Sequence, residues 1–261
     1  WTFSPCITVP RDDRWGRQYE GFSESTEIVT RLTHAAVTGY EDAIEIFGNK
    51  KIAACAKHFL GDGGTSWKTG SMQEGIHTYK IDRGDTHLSE KELRAIHLPP
   101  YLEAIKAGVK TIMISFNSWN GIKCHGNKFL INDLLKDELN FEGLVVTDWA
   151  GIDEIPGDYK SDIITSINAG IDLVMVPGSL FGNTHYKTFI KLLKESVEEG
   201  SIPISRIDDA VRRILRVKYD INLFDDPYGK LEYAKYVGGD DHRKIAREAV
   251  RKSLVLLKND S

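Results

Sequence analysis

The chain has 261 residues, of which 41% are hydrophobic and 28% charged, and its formal net charge is −4. This composition is typical of a globular protein with one large domain or two small ones, and the mixed charge implies no surface for nucleic acid. No apolar run approaches the roughly 18 to 20 residues of a membrane span, and the three cysteines (Cys6, Cys55, Cys124) lie too far apart to suggest a metal site.

Five short, mostly apolar runs predict β-strands that are covered on both faces. They span residues 2–9, 52–59, 111–116, 143–149 and 172–177. Helical patterns separate and follow them, at residues 25–47, 89–106, 129–139, 160–168, 186–199 and 242–252. This alternation predicts a parallel sheet with crossover helices.

Local signals set some of the boundaries. Pro99 and Pro100 should break or kink the helix over residues 89–106. Ser205, with an acid three residues later, predicts the capped start of another helix. The apolar face of that helix is formed by Ile207, Ala210, Val211, Ile214 and Leu215. Residues 220–241 contain proline, glycine and acidic residues and form the predicted linker.

The number of strand–helix units bears on the fold class. Five units are too many for a small sandwich and too few for a closed eight-stranded barrel. An open doubly wound sheet would fit, but no G-x-G-x-x-G or Walker motif follows the first strand, and we expect no cofactor. Because the chain begins at Trp1 without a leader, we expect an α/β barrel of the (β/α)8 type that lacks its first strands. Residues 1–219 would be the C-terminal part of the barrel, and residues 220–261 the linker, a final helix and the start of a connection to a second domain.

Polar and aromatic side chains follow the predicted strands where each strand ends. Asp148 and Trp149 end the strand over residues 143–149. The other candidates after or within earlier strands are Arg11, Arg14, Arg17, Lys57, His58, Asp62, Met113, Phe116 and Trp119. Parallel strands bring these ends to one face, where α/β barrels place their chemistry. Cations, carboxylates and aromatic rings together suit a neutral polyhydroxyl ligand.

Structural explanations remain open for several of these residues. Asp148 could cap the helix that follows it. Arg11 and Arg14 are more naturally paired with nearby acids, namely Asp12, Asp13 and Glu20. Core packing accounts for Met113 nearly as well as ligand contact. Lys57 is harder to explain structurally, because a charged ammonium in a barrel mouth is costly without partners.

Several motifs resemble one family, the glycoside hydrolase family 3 β-glucosidases and exo-β-glucanases. The first are R-W-G-R-x-x-E at residues 14–20, A-K-H-F-x-G-D-G-G at 56–64, M-I-S at 113–115 and V-x-D-W at 146–149. The likeness continues through residues 170–177, 206–215 and 252–258, so it covers nearly the whole chain in the family's own order.

The resemblance implies a (β/α)8-type barrel followed by an α/β sandwich domain, and a retaining hydrolysis of terminal β-D-glucosyl residues. The nucleophile of the V-x-D-W motif corresponds to Asp148. The residues that hold the hydroxyls of the terminal sugar correspond to Arg17, Lys57 and His58. The same resemblance implies that Trp149 and Met113 line this subsite and that Asp62 and Glu20 support it. The expected ligand is a β-glucoside or β-glucan oligosaccharide, and relatives that degrade polymers are typically secreted, extracellular or periplasmic.

The sequence departs from the family pattern in several respects, and it leaves alternative functions open. The first barrel strands, and the sandwich domain that carries the acid/base Glu in most members, are expected outside this chain, which alone should be inactive. Phe116 and Glu154 stand where some plant members have Tyr and Arg. A β-N-acetylhexosaminidase of the same family is disfavoured, because residues 57–69 lack a D-[ST]-H pattern. A catalytically inactive sugar-binding protein and an aldolase-like enzyme with Lys57 as Schiff base are further alternatives.

Overall fold

The computed structural model describes residues 1–42, 52–70, 72–73, 77–178 and 186–260. These residues form two compact units, Trp1–Asn222 and Leu223–Ser261. The division lies close to the one predicted after residue 219. The smaller unit contains a short 3-10 helix, Leu231–Tyr236, and one α-helix, Asp240–Ser253.

The larger unit carries its helices where the sequence predicts them. They are α1 (Thr26–Glu41), α2 (Glu90–Ile96), α3 (Pro99–Lys106), α4 (Phe129–Glu138), α5 (Tyr159–Ala169), α6 (Tyr186–Glu198) and α7 (Ile204–Asp220), and α8 is the helix of the smaller unit. Helix α4 has the wider hydrogen-bond pattern of a π-helix. The predicted continuation of α1 over residues 43–47 lies outside the described residues. None of the helices in the described ranges is long and apolar enough to cross a membrane.

Two helix boundaries test the local signals. The predicted break at Pro99 is confirmed, because α2 ends at Ile96 and α3 begins with the proline pair. The predicted cap at Ser205 is wrong, because α7 already begins at Ile204 and its N-cap residue is Pro203. Proline has a fixed φ and lacks an N–H, so it starts a helix without a side-chain cap.

The central sheet is parallel, with strand order β1 (Cys55–Phe59), β5 (Thr111–Ile114), β8 (Leu144–Val146). The remaining strands have two residues each: β2 (Met72–Gln73) pairs with β3 (His77–Thr78), and β4 (Asp85–Thr86), β6 (Ser118–Trp119) and β7 (Ile122–Lys123) form a second small sheet. The three longer strands are the second, third and fourth predicted ones.

The first and fifth predicted strands flank this sheet as extended segments that make isolated parallel bridges. On one side, the Ile7 N–H donates to the Lys57 carbonyl at 2.9 Å, and Cys6 forms a parallel bridge with Lys57. On the other, the Leu173 N–H donates to the Val145 carbonyl at 3.1 Å. All five segments therefore lie side by side in chain order, as predicted.

The core lies on both faces of the sheet. In β5, Ile112 and Ile114 are fully buried and the intervening Met113 is 3% exposed. Fully buried side chains from α1, α2 and α4 join the same core, among them Val29, Val37, Leu93, Leu130 and Leu134. Coverage from both sides explains why the strand sequences are apolar throughout rather than alternating.

Candidate active site

The predicted polar residues meet at the carboxyl end of the parallel strands. Asp148 follows the last residue of β8 by two positions, and His58 lies near the end of β1. Asp62 begins a short 3-10 helix after β1, and Arg17 lies on the loop after the first extended segment. The parallel pairing brings these four side chains to one edge of the sheet.

Asp148 has one carboxylate oxygen held by the protein and one left open. Its Oδ1 accepts the backbone N–H of Trp149 at 2.7 Å. Its Oδ2 lies 3.6 Å from Nε2 of His58, and no hydrogen bond from the described part of the chain reaches it. The side chain is 15% exposed. A ligand can therefore approach one defined oxygen of this carboxylate.

His58 is buried and has a defined tautomer. Nη2 of Arg17 lies 3.0 Å from its Nε2. Because a guanidinium only donates, Nε2 accepts and the ring proton resides on Nδ1. Nδ1 then donates to Oδ2 of Asp62 at 2.9 Å. The imidazole is neutral in this arrangement, and both its nitrogens are occupied by the protein.

Asp62 completes this support. Its Oδ1 accepts from the hydroxyl of Thr8 and from the Gly63 N–H. Burial by itself would raise the pKa of Asp62, but the hydrogen bonds from His58 and Thr8 and the charge of Arg17 lower that pKa below its usual value. The carboxylate is thus ionised and fully engaged.

Arg17 is held by Glu20 in a bidentate pair. Nε and Nη2 of Arg17 donate to the two carboxylate oxygens at 2.8 and 2.9 Å. Burial opposes the charge of Arg17, but the hydrogen bond and charge of Glu20 raise its pKa above the ordinary value. Nη1 makes no hydrogen bond to a described residue, so it remains available as a donor. Glu20 therefore fixes the orientation of Arg17, and its part in a sugar site stays a prediction.

Lys57 is a partly buried cation whose ammonium has no partner among the described residues. Its backbone pairs with the first extended segment, and its side chain makes neither a hydrogen bond nor an ion pair to residues in the described ranges. Burial raises the pKa of the Cys55 thiol to about 12. The negative charge of Asp148 adds to this rise, and the positive charge of Lys57 opposes it. The ammonium is therefore available to donate to a ligand.

The remaining two predicted residues differ in accessibility. Trp149 is 53% exposed, so a face of its ring is accessible to a ligand. Met113 is 3% exposed and packs in an apolar cluster with Cys55 and Val146. Core packing accounts for Met113, and its contact with a sugar stays a prediction.

A second charged cluster surrounds Phe116. The Arg83 guanidinium lies 3.9 Å from the centre of the Phe116 ring and donates to Glu154 at 2.6 Å. Lys123 donates to the other oxygen of Glu154 at 2.8 Å. Phe116 and Glu154 could be singled out from the sequence, whereas both cations were missed. Neither belongs to one of its motifs, and no sequence signal links them to Glu154.

Cys6, His58 and Asp62 have atoms that could bind a metal ion within 4.8 Å of one another. Both ring nitrogens of His58 are already bonded, one of them to the cation Arg17. Burial raises the pKa of the Cys6 thiol to about 12, so it stays protonated. This chemistry fits a hydrogen-bonded support better than a metal site.

Arg11 and Arg14, weighed as site residues, make other contacts. Arg14 pairs with Asp12 and lies 4.1 Å above the Trp67 ring, as the pairing argument favoured. Arg11 donates to the backbone carbonyl of Glu24 at 2.9 Å.

The model of the glycosyl hydrolase family 3 N-terminal domain matches residues 1–217. The chain belongs to glycosyl hydrolase family 3. The lysosomal beta glucosidase of Dictyostelium discoideum is 34% identical over 99% of the chain, and the periplasmic beta-glucosidase of Salmonella typhimurium is 30% identical over 99%. The crystal structure of an exo-1,3/1,4-beta-glucanase from a Pseudoalteromonas species superposes with a TM-score of 0.85 and 42% identity over 100% of the chain.

Family membership confirms the predicted fold class, since five parallel segments with crossover helices are part of an α/β barrel of the (β/α)8 type. The chain spans 31% and 32% of the two curated relatives and 31% of the solved glucanase. The carboxyl ends of its strands carry the cluster around Asp148. In this fold that edge is the usual location of an active site.

Proposed function

We propose that this family 3 protein is a retaining, exo-acting β-glucosidase or β-glucan glucohydrolase that removes terminal β-D-glucosyl residues. The observation that carries the proposal is the open Oδ2 of Asp148, which lies 3.6 Å from Nε2 of His58, a ring that Arg17 and Asp62 hold in a fixed orientation. A carboxylate with one free oxygen beside several hydroxyl-binding groups is suited to attack an anomeric carbon.

In the proposed reaction, Oδ2 of Asp148 forms a bond to the anomeric carbon while the bond to the leaving oxygen breaks. A second carboxyl group, about 5 to 5.5 Å away, protonates that oxygen and then takes a proton from the water that hydrolyses the glycosyl ester. Glu20 and Asp62 are poor candidates for this second group, because their carboxylates are engaged by Arg17 and by His58. We expect the acid/base Glu to come from an α/β sandwich domain of the same protein.

Binding of the terminal sugar would use the donors of the cluster. The Lys57 ammonium and Nη1 of Arg17 can donate to ring hydroxyls, and Trp149 offers an exposed aromatic face to the C–H side of the ring. His58 and Asp62 would keep the shape of this subsite. Holding the sugar at several points also fixes the anomeric carbon near Oδ2, which lowers the entropic part of the barrier.

The relatives support a β-linked glucoside or glucan as substrate, since two are named beta-glucosidases and the solved one an exo-1,3/1,4-beta-glucanase. They also support a location outside the cytosol, since one is named periplasmic and one lysosomal. Secretion or export to the periplasm is therefore the location that we propose.

The test uses the full-length protein with aryl β-glucoside, aryl β-xyloside, aryl N-acetyl-β-glucosaminide and short β-1,3- and β-1,4-glucans. We expect release of glucose from the non-reducing end, with the β-anomer formed first in the proton NMR spectrum. Preferred hydrolysis of the N-acetylglucosaminide would favour the hexosaminidase alternative. Sugar binding without turnover of any substrate would favour an inactive sugar-binding protein.

A further inference from the structure

His125 is a buried residue that touches the backbone of the proposed nucleophile. It lies in the short helix Cys124–Gly126, is completely buried, and its Nε2 accepts the N–H of Asp148 at 3.1 Å. One residue earlier, the Thr147 N–H still donates to the carbonyl of Leu173, as in the sheet. His125 therefore binds the first backbone N–H after the chain leaves the sheet.

The protonation state of His125 follows from this bond. A backbone N–H only donates, so Nε2 accepts and the ring proton lies on Nδ1. Burial is the largest cause that lowers the pKa of His125 to about 3, and the positive charges of Lys123 and Arg83 act in the same direction. The ring thus stays a neutral acceptor at any pH at which the protein would work.

Nδ1 of His125 has no hydrogen-bond partner in the described part of the chain. An unpaired buried N–H costs free energy that an apolar side chain of similar size would not cost. Packing alone therefore does not explain a histidine here, whereas the acceptor at Nε2 does.

Packing fixes the ring against the turn that begins at Asp148. The Gly151 N–H donates to the Asp148 carbonyl at 3.0 Å, and a Cβ at Gly151 would lie only 2.2 Å from Nε2 of His125. On another side, the ring lies 5.7 Å from that of Phe116, measured between centroids. The imidazole has little freedom to move away from the Asp148 N–H.

We infer that His125 is a positioning residue, which holds the Asp148 backbone so that Oδ1 accepts the Trp149 N–H and Oδ2 faces the sugar. This inference rests on the proposed function. It assigns to His125 an effect on the attack step and none on sugar binding, because the ring accepts from the backbone of the nucleophile and makes no hydrogen bond to the proposed hydroxyl-binding groups Lys57 and Arg17.

The test compares H125Q with H125M in the full-length protein. Gln can place its amide oxygen near the position of Nε2, while Met has a comparable volume and no strong acceptor. We expect H125M to lower kcat about 10- to 100-fold with little change in KM, since small displacements of a reacting group have effects of this order. H125Q should recover most of that loss. Equal losses in both variants, or a change in KM alone, would overturn the positioning role.

Two further measurements separate this role from a general structural one. H97M removes another buried histidine, whose Nε2 has no hydrogen-bond partner among the described residues and makes no bond to Asp148, and should keep the kcat of the wild type. Long-range 1H–15N correlation spectra of the wild type should show the His125 proton on Nδ1, whatever the activity. A proton on Nε2 would contradict the inference directly, whereas a correct tautomer in a protein that hydrolyses no β-glycoside would count against the proposed function instead.

Discussion

Two charged clusters lie at opposite ends of the same strands, and they use their charges differently. At the amino end, the Lys136 ammonium donates to Asp172 at 2.7 Å, and Arg206 contacts both Asp172 and Asp209. The Asp172 carboxylate is fully buried and also accepts the N–H of Val145 at 2.9 Å. Each charged group in this cluster has an oppositely charged partner.

The carboxyl-end cluster is equally buried in its centre but incomplete. His58, Asp62, Arg17 and Glu20 satisfy one another, while one oxygen of Asp148 has no hydrogen bond to the described residues. The difference supports the proposal that the carboxyl end binds the ligand, because buried charges without partners are costly unless something binds them. In α/β barrels, the carboxyl ends of the strands are also where the loops that follow the strands form the active site.

The largest effect is expected at the open carboxylate. Asp148→Ala should lower hydrolysis of an aryl β-glucoside by the full-length protein by several orders of magnitude, because no other group would form the glycosyl ester. Steady-state kinetics with protein of verified secondary structure give the measurement. Near-normal activity in the variant would show that Asp148 is not the nucleophile. It would also contradict the assignment of the active site to the carboxyl end of the strands.

At the paired end, the expected effect is on stability. Asp172→Ala leaves Lys136 and Arg206 without a buried partner, which should cost about 3 to 5 kcal/mol of unfolding free energy. Urea denaturation measures this, and kcat per folded molecule should not change. Asp209→Ala is the matched control, and its smaller cost follows from its side chain being 38% exposed. A fall in kcat of the folded Asp172 variant would mean that the two ends are not separate in function.

Arg17 tests the support of the open end. Arg17→Met removes the donor to His58 Nε2 and frees Glu20, so kcat/KM should fall about 10- to 100-fold, the value of a hydrogen bond to a charged group. The same kinetic assay checks it. Arg14→Met on the same loop is the control, since Arg14 pairs with Asp12 and its side chain is 56% exposed. Equal effects in both variants would show that the loop, not the contact with His58, matters.

The smallest effect concerns Asp162 in α5, which belongs to neither cluster. Burial raises its pKa from 3.8 to about 6. The folded state therefore keeps this proton in a window where the unfolded state has lost it, and the contribution of Asp162 to stability falls as the pH rises from about 4 to about 6. Asp162→Asn should raise the melting temperature above pH 6 and leave it unchanged below pH 4. A stabilisation that is the same at both pH values would contradict the assignment.

Much of this arrangement could be predicted from the sequence, because it depends on local patterns. Continuous apolar runs identified five parallel segments in their order, and the proline pair identified the break between α2 and α3. The gathering of Asp148, His58 and Arg17 followed from parallel strands ending at one edge. The two-residue strands β2, β3, β4, β6 and β7 were missed, because a strand of two residues is too short to show a periodic sequence pattern.

The rest depends on contacts that arise only in the fold. His125 binds a backbone N–H, and a backbone group leaves no signature in the sequence. Arg83 reaches Glu154 across 71 positions, so spacing gives no indication of the pair. Met113 lies in a strand that is buried on both faces, where alternation does not distinguish the core side from a ligand side.

The central claim is that the open oxygen of Asp148 forms a bond to the sugar. Incubation of the full-length protein with a 2-deoxy-2-fluoro-β-glucoside that has a good leaving group should accumulate the glycosyl ester, and peptide mass spectrometry should place the label on Asp148. A label on another carboxylate, or turnover without any covalent adduct, would contradict the account.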